Sequence, residues 1–167
     1  MKLETAIKIA TIDLNKNKID SSILDSEILM SKVINRDRGF VILNPKEDIK
    51  ENNYSYFRKL VHERAKGKPI AYLIGKKHFW KYEFDITEDV LIPRPDTEII
   101  VEQVLNIFKN KNKINFLDIG IGSGCILLSI LKEKKNYSGT GIDKSSKCVK
   151  LSKINANKLG VKNRVKI

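Results

Sequence analysis

The chain has 167 residues, of which 41% are hydrophobic and 31% charged, and its formal net charge is +12 at pH 7. This length and apolar content suit one ordinary domain or two small ones. No apolar run approaches the roughly 20 residues of a membrane span, and the N-terminus lacks a signal-peptide block. We therefore expect a cytoplasmic protein with no membrane partner. The two cysteines and two histidines stand apart in the sequence, so no metal site is expected.

The positive charge is concentrated near the C-terminus, where residues 131–167 carry 11 basic and 2 acidic side chains. A basic surface attracts phosphate groups and is one way to bind nucleic acid. These cations are mostly lysines without interleaved aromatic residues, a pattern that favours a solvated surface. We expect no direct requirement for nucleic acid.

The first 65 residues have the apolar spacing of amphipathic helices. Apolar side chains recur at intervals of three and four residues, both near the N-terminus and after the breaker Asn44-Pro45. They are Leu3, Ala6, Ile7, Ala10 and Leu14, followed later by Tyr54, Phe57 and Val61. Ser21 or Ser22 can cap a second helix. Residues 1–68 are therefore predicted to form a helical domain.

The rest of the chain alternates between strand-like and helix-like segments. Residues 77–86 alternate like a strand pair, which predicts a linking β-hairpin within 69–90. The later elements are a helix capped by Asp96 or Thr97, a strand at 114–119, a helix at 123–134, a strand at 138–143, a helix at 145–159 capped by Ser145 and ended by Gly160, and a strand at 164–167. This alternation predicts an α/β fold over 91–167, with a parallel, doubly wound sheet.

A glycine-rich turn follows the predicted strand at 114–119. Gly120, Gly122 and Gly124 alternate with other residues and lead directly into an apolar helix. Glycine permits positive φ and lets the backbone come close to a ligand. A strand, a glycine turn and a helix N-terminus together form a docking place for a nucleoside-type cofactor. The second strand ends in Asp143, which can accept hydrogen bonds from ribose hydroxyls.

The register of the glycines distinguishes between cofactors. A dinucleotide fingerprint needs a third glycine at the sixth position, where this chain has Cys125; its glycine falls at the fifth, Gly124. The observed pattern, with Asp118 two residues before Gly120 and Asp143 at a usual interval, resembles S-adenosylmethionine-dependent methyltransferases. The alternative is a glycine-rich turn that binds nothing.

Three blocks together resemble a narrower family, the protein-(glutamine-N5) methyltransferases of peptide chain release factors, known as the HemK/PrmC group. They are Arg64 to Gly75, Leu91 to Glu98, and Phe116 to Gly124 with Asp143. The second block is the most specific, because general methyltransferases do not carry it. The resemblance implies a small N-terminal domain that recognises a release factor, a hairpin, and the first part of a Rossmann-like methyltransferase sheet.

The resemblance also implies a cofactor, a substrate and the residues that bind them. S-adenosyl-L-methionine would be bound by Asp118, Gly120, Ile121, Gly122, Ser123, Gly124 and Asp143. The substrate would be the glutamine of the Gly-Gly-Gln loop of a class 1 peptide chain release factor, and Arg94, Pro95 and Thr97 would line its approach. A surface ion pair with Asp96 or Glu98 is the alternative role for Arg94. We expect a monomer.

The family's acceptor motif, Asn-Pro-Pro-Tyr, does not occur in these 167 residues. We therefore assign no catalytic residue and expect a truncated, N-terminal portion that is weakly active or inactive. A parallel sheet without its later strands would also have an unpaired edge. Two other functions remain open: a fragment of a nucleic-acid methyltransferase of the adenine-N6 type, and a non-catalytic module that binds a release factor or the ribosome.

Overall fold

The computed structural model describes residues 1–167, which form two compact units, Met1–Ile74 and Gly75–Ile167. The first unit contains α1 (Leu3–Lys16), α2 (Ser22–Ile34), α3 (Arg38–Leu43), α4 (Glu51–Ala65) and α5 (Ile70–Ile74). The second contains β1 (Lys76–Phe79), β2 (Tyr82–Asp85), α6 (Glu98–Ile107), β3 (Asn115–Ile119), α7 (Cys125–Glu133), β4 (Ser138–Ile142), α8 (Ser146–Lys158) and β5 (Val165–Lys166). No helix combines the length and apolar character of a membrane span. The three-part division at 1–68, 69–90 and 91–167 stays a prediction.

The helical unit buries the periodic residues that the sequence singled out. On α1, Leu3, Ala6, Ala10 and Leu14 are each at most 1% exposed. Ile7 is half-buried and packs against the same core. The core is completed by apolar residues of the other four helices and of the loop before α4, among them Leu29, Met30, Val41, Ile49, Phe57, Leu60, Val61 and Leu73. Helical spacing therefore identified the buried face of α1 correctly.

A nearly buried ion pair joins the start of α2 to the end of α4. The Nε of Arg64 donates to Oδ2 of Asp25 over 2.7 Å, and Ser21 Oγ donates to the same oxygen over 2.8 Å. The predicted serine cap of α2 is wrong, because the Ser21 hydroxyl accepts no hydrogen bond from a backbone N–H of the helix. Ser21 occupies the N-cap position, but its hydroxyl serves Asp25 instead of a backbone N–H, while Ser22 Oγ donates to Asn15.

The predicted β-hairpin is present in the second unit, where β1 and β2 pair antiparallel. Its turn places Trp80 at φ +57°, an uncommon conformation for a bulky residue. Two carboxylates fix that turn: Glu98 accepts from the Trp80 backbone N–H over 2.9 Å, and Glu133 accepts from Trp80 Nε1 over 2.8 Å and from the Tyr82 hydroxyl over 3.0 Å. These hydrogen bonds tie the hairpin to α6 and α7.

The parallel sheet has the strand order β3-β4-β5, with α7 and α8 as the connections between strands. The predicted α/β fold is confirmed, and each predicted strand and helix of this region is present, one or two residues shorter at its ends. Two glycines of β4 allow close packing. A Cβ on Gly139 would meet Leu127 at 2.7 Å, and one on Gly141 would overlap the side chain of Ile121.

One face of the sheet leaves apolar side chains in solvent. Leu117 and Ile119 of β3 are 62% and 76% exposed, and Ile142, which pairs with Ile119 in register, is 48% exposed. Strand β3 pairs with β4 along one edge, and its other edge has no strand partner. An apolar face beside an open edge is a surface on which further polypeptide can pack.

Candidate cofactor site

The glycine turn connects the end of β3 to the start of α7 in a conformation that requires glycine. Gly120, Gly122 and Gly124 have φ values of +83°, +55° and +83°, as the sequence predicted. A Cβ on Gly124 would lie 2.6 Å from Cδ1 of Leu128, so this glycine also permits close packing. A Cβ on Gly120 would meet nothing within 4 Å, which shows open space beside the turn.

Most backbone N–H groups of the turn are used inside the protein. Gly120 N and Ile121 N both donate to the carbonyl of Ile142, over 2.8 and 3.0 Å, and Gly124 N donates to the carbonyl of Ile121 over 2.8 Å. These hydrogen bonds give the turn one defined shape. A ligand can therefore contact the glycine surface of the turn, which has no side chains. It cannot use these three N–H groups as hydrogen-bond donors, because they are already bonded inside the protein.

Asp143 follows β4, and its carboxylate contacts the glycine turn directly. Its Oδ2 accepts from Gly122 N over 3.0 Å, and its Oδ1 accepts from Ser145 N over 2.9 Å. The N–H groups of Ser145 and Gly122 hold the pKa of this carboxyl below its usual range, because they stabilise the charged form. The carboxylate is therefore charged at neutral pH, and it keeps lone-pair capacity for a further donor.

Ser145 begins the helix that follows Asp143. Its Oγ accepts from Cys148 N over 3.4 Å, which confirms the predicted cap of α8. Gly160 follows the end of this helix with φ +70°, as expected of a terminating glycine.

Asp118 lies on β3, on the side of the strand opposite Leu117 and Ile119. Its carboxyl is half-buried, and this desolvation raises its pKa. The backbone N–H of Leu127 opposes the rise, and the negative charge of Asp143 adds to it. The two predicted carboxylates therefore interact electrostatically.

The two non-glycine residues of the turn have buried side chains. Ile121 is 4% exposed and packs on Gly141, and Ser123 is 3% exposed. Only their backbone atoms can border a ligand bound beside the turn. Their predicted role in cofactor binding is therefore restricted to the main chain.

The predicted substrate residues form a separate exposed segment. Pro95–Thr97 form a 3-10 turn that is preceded by Arg94. Arg94 is exposed and its guanidinium makes no ion pair or hydrogen bond in the structure, so the alternative of a pair with Asp96 or Glu98 has no contact to support it. The predicted helix cap is also wrong in detail, because Thr97 occupies the N-cap position of α6 without a side-chain hydrogen bond.

Two other parts of the chain support the turn and were missed in the sequence. Val90 is 2% exposed, packs with Cys148 and Leu151, and comes within 3.7 Å of a Cβ built on Gly122. Asn155 of α8 is fully buried and donates to the carbonyl of Ser123 over 2.9 Å. No local sequence signal identified either one, since both contacts join residues at least 32 positions apart.

Comparisons with known proteins agree with the sequence blocks. Residues 5–75 match the family model of the PrmC N-terminal domain. The release factor glutamine methyltransferase of Buchnera aphidicola subsp. Acyrthosiphon pisum is 41% identical over 145 residues, covering 87% of this chain and 52% of that protein. The protein of the same name from Clostridium acetobutylicum is 38% identical over 167 residues, covering 100% of this chain and 59% of that protein.

The resemblance to the release factor glutamine methyltransferases is confirmed. The chain spans about half the length of the curated relatives it matches. Among solved structures, an S-adenosylmethionine-dependent methyltransferase from Geobacter sulfurreducens, in complex with S-adenosyl-L-homocysteine, is 30% identical. The superposed region covers 40% of this chain and 26% of the Geobacter chain, with a TM-score of 0.36. The fold assignment depends on strand order and register, not on this overlap.

Proposed function

We propose that these residues form the cofactor-binding part of an S-adenosyl-L-methionine-dependent methyltransferase that acts on the glutamine of the Gly-Gly-Gln loop of class 1 release factors. The observation that carries the proposal is the glycine turn with the Asp143 carboxylate hydrogen-bonded across it. The names of the relatives support the substrate and disfavour the nucleic-acid alternative.

The residues present fit the adenosyl and methionine groups of this cofactor. The open space beside Gly120 can receive the methionine part without a side-chain clash. The charged Asp143 can accept from both ribose hydroxyls through its remaining lone pairs. Both features lie at the carboxyl ends of β3 and β4, where ligands bind open parallel sheets.

The reaction needs more than a bound cofactor. The sulfonium supplies an activated methyl group, whereas the amide nitrogen of glutamine is a weak nucleophile because its lone pair is delocalised. Hydrogen-bond acceptors must orient the amide NH₂ for transfer. The motif expected to supply them is absent from these 167 residues, so we assign them cofactor binding and substrate approach. Arg94, exposed and unpaired, is available to an acidic group of the release factor.

Isothermal titration with S-adenosyl-L-homocysteine tests the cofactor assignment. The chain is expected to bind it, and Asp143→Asn is expected to weaken binding at least tenfold, because one of two carboxylate acceptors is lost. Asp96→Asn is the matched control, since Asp96 is exposed and its variant should bind within twofold of the unmodified chain. Absence of binding by the unmodified chain would refute the cofactor assignment.

A separate binding experiment tests the substrate assignment. A class 1 release factor immobilised on a biosensor is expected to retain this chain, and Arg94→Ala is expected to weaken retention without changing the affinity for S-adenosyl-L-homocysteine. Equal losses in both affinities would contradict the role of Arg94. Incubation with labelled S-adenosyl-L-methionine is expected to leave the release factor unlabelled.

A further inference from the structure

We propose that Asn155 positions the glycine turn for cofactor binding, an inference that depends on the proposed function. Asn155 lies on α8 and is 0% exposed. A buried side-chain amide costs free energy unless its donors and acceptor are satisfied. The partners of this amide therefore indicate why the position carries a polar residue.

Three hydrogen bonds satisfy the Asn155 side chain. Nδ2 donates to the carbonyls of Ser123 and Asp85, over 2.9 and 3.1 Å, and Oδ1 accepts from Asp85 N over 2.8 Å. Two carbonyl partners require the amide nitrogen on one side, and an N–H partner requires the oxygen on the other. The chemistry of the partners thus fixes the orientation of the amide, and asparagine is the residue type that supplies both functions at this length.

The contact with Ser123 controls one peptide plane of the turn. The carbonyl of Ser123 and the N–H of Gly124 belong to the same planar unit. Asn155 holds the carbonyl end, and the carbonyl of Ile121 holds the N–H end over 2.8 Å. Rotation of this plane would break both hydrogen bonds. Without these contacts, Gly124 could adopt several backbone conformations. The two hydrogen bonds, to Asn155 and to Ile121, select the one with positive φ.

Two side chains hold the turn from different elements. Asp143 accepts from Gly122 N, and Asn155 donates to the carbonyl of Ser123. A loop ordered before binding gives up less conformational entropy when a ligand arrives. The role of Asn155 is thus to keep the turn in its binding shape, without touching the cofactor itself.

Binding measurements on Asn155→Leu test this role, with Asn157→Leu as the matched control on the exposed side of the same helix. The affinity for S-adenosyl-L-homocysteine is expected to fall at least tenfold in Asn155→Leu and to change less than twofold in Asn157→Leu. Measurements are made at 10 °C, and circular dichroism is used to check that each variant is folded before binding is compared. A folded Asn155→Leu that binds within twofold of the unmodified chain would overturn the proposal.

Amide hydrogen exchange separates positioning from general destabilisation. In Asn155→Leu, exchange at Gly124 is expected to accelerate at least tenfold more than exchange at Leu131, which is fully buried on α7. Equal acceleration at both amides would show a purely structural role and refute the proposal.

The unmodified chain supplies a test that does not depend on the folding of a variant. Its Gly124 amide is expected to exchange as slowly as that of Leu131, and exchange at the rate of an unstructured peptide would overturn the proposed restraint. If the unmodified chain binds no S-adenosyl-L-homocysteine while Gly124 remains protected, the proposed function is refuted and the restraint is not.

Discussion

Helix α1 and strand β3, which belong to different units, keep their apolar residues in different places. On α1 of the helical unit, four of the five apolar residues at helical spacing are at most 1% exposed, and the fifth, Ile7, is half-buried. On β3 of the α/β unit, Leu117 and Ile119 are more than half exposed, whereas the alternate residues Phe116 and Asp118 are half-buried. The helical unit therefore covers the apolar face of α1 by itself, and the α/β unit leaves one face of its sheet uncovered.

The two units are also ordered by different kinds of contact. Apolar packing around Leu14, Leu29 and Phe57 dominates the helical unit. In the α/β unit, single polar side chains hold backbone groups in place: Glu98 at the hairpin, and Asp143 and Asn155 at the glycine turn. Such directional contacts fix the shape of a loop that has few apolar groups to bury.

Matched leucine truncations should give the largest contrast between the units. Leu14→Ala is expected to lower the free energy of unfolding of the helical unit by about 3 kcal/mol, because it opens a cavity in a packed core. Leu117→Ala is expected to cost less than about 0.5 kcal/mol, because its side chain already lies in solvent. Urea unfolding is followed by far-UV circular dichroism for the first variant and by the fluorescence of Trp80, the single tryptophan, for the second.

Similar costs for the two leucines would contradict this comparison. They would mean either that β3 packs its Leu117 face in solution or that α1 tolerates a cavity. Sedimentation of the Leu117→Ala chain distinguishes self-association from a change in the fold.

A pair of glycine substitutions should give an intermediate effect within the α/β unit. Gly124→Ala is expected to cost about 2 kcal/mol, since φ is +83° and the added Cβ would lie 2.6 Å from Leu128. Gly160 has a similar φ of +70°, but a Cβ added there would meet no other atom. Gly160→Ala is therefore expected to cost only the backbone strain, about 1 kcal/mol. Both values come from urea unfolding followed by Trp80 fluorescence, and equal costs would exclude a packing role for Gly124.

A third expected effect concerns the pH dependence of the hairpin. Burial, together with the hydrogen bond to Glu133, raises the pKa of Tyr82 to about 12, against about 10 in an unfolded chain. A raised pKa means that the folded state binds this proton more tightly. The resulting stabilisation is complete below pH 10 and is lost as the pH rises towards 12.

Tyr82→Phe removes this titration and is the control. The difference in unfolding free energy between the unmodified chain and the variant, followed by Trp80 fluorescence, should shrink between pH 10 and 12. A difference that stays constant across this interval would show that the Tyr82 proton does not contribute.

The fold could be predicted in large part because its signals are local. Helical spacing located α1, alternation located the hairpin, and glycines after an apolar strand located the turn before α7. The predicted positive φ values and the position of Asp143 agree with the structure. The predicted side-chain caps at Ser21 and Thr97 are absent, although both residues occupy N-cap positions. A neighbouring carboxylate or the local backbone geometry decides whether such a hydroxyl reaches a backbone N–H.

The order of residues was enough to identify the glycines suited to the turn and the acid that follows the next strand. Both depend on intrinsic properties: the absence of a Cβ in glycine, and the order of residues along the chain. Only the tertiary structure decided which face of β3 is covered, because alternation marks two faces without naming their neighbours. The same holds for Asn155, whose partners at positions 85 and 123 are brought together by packing between elements distant in the chain.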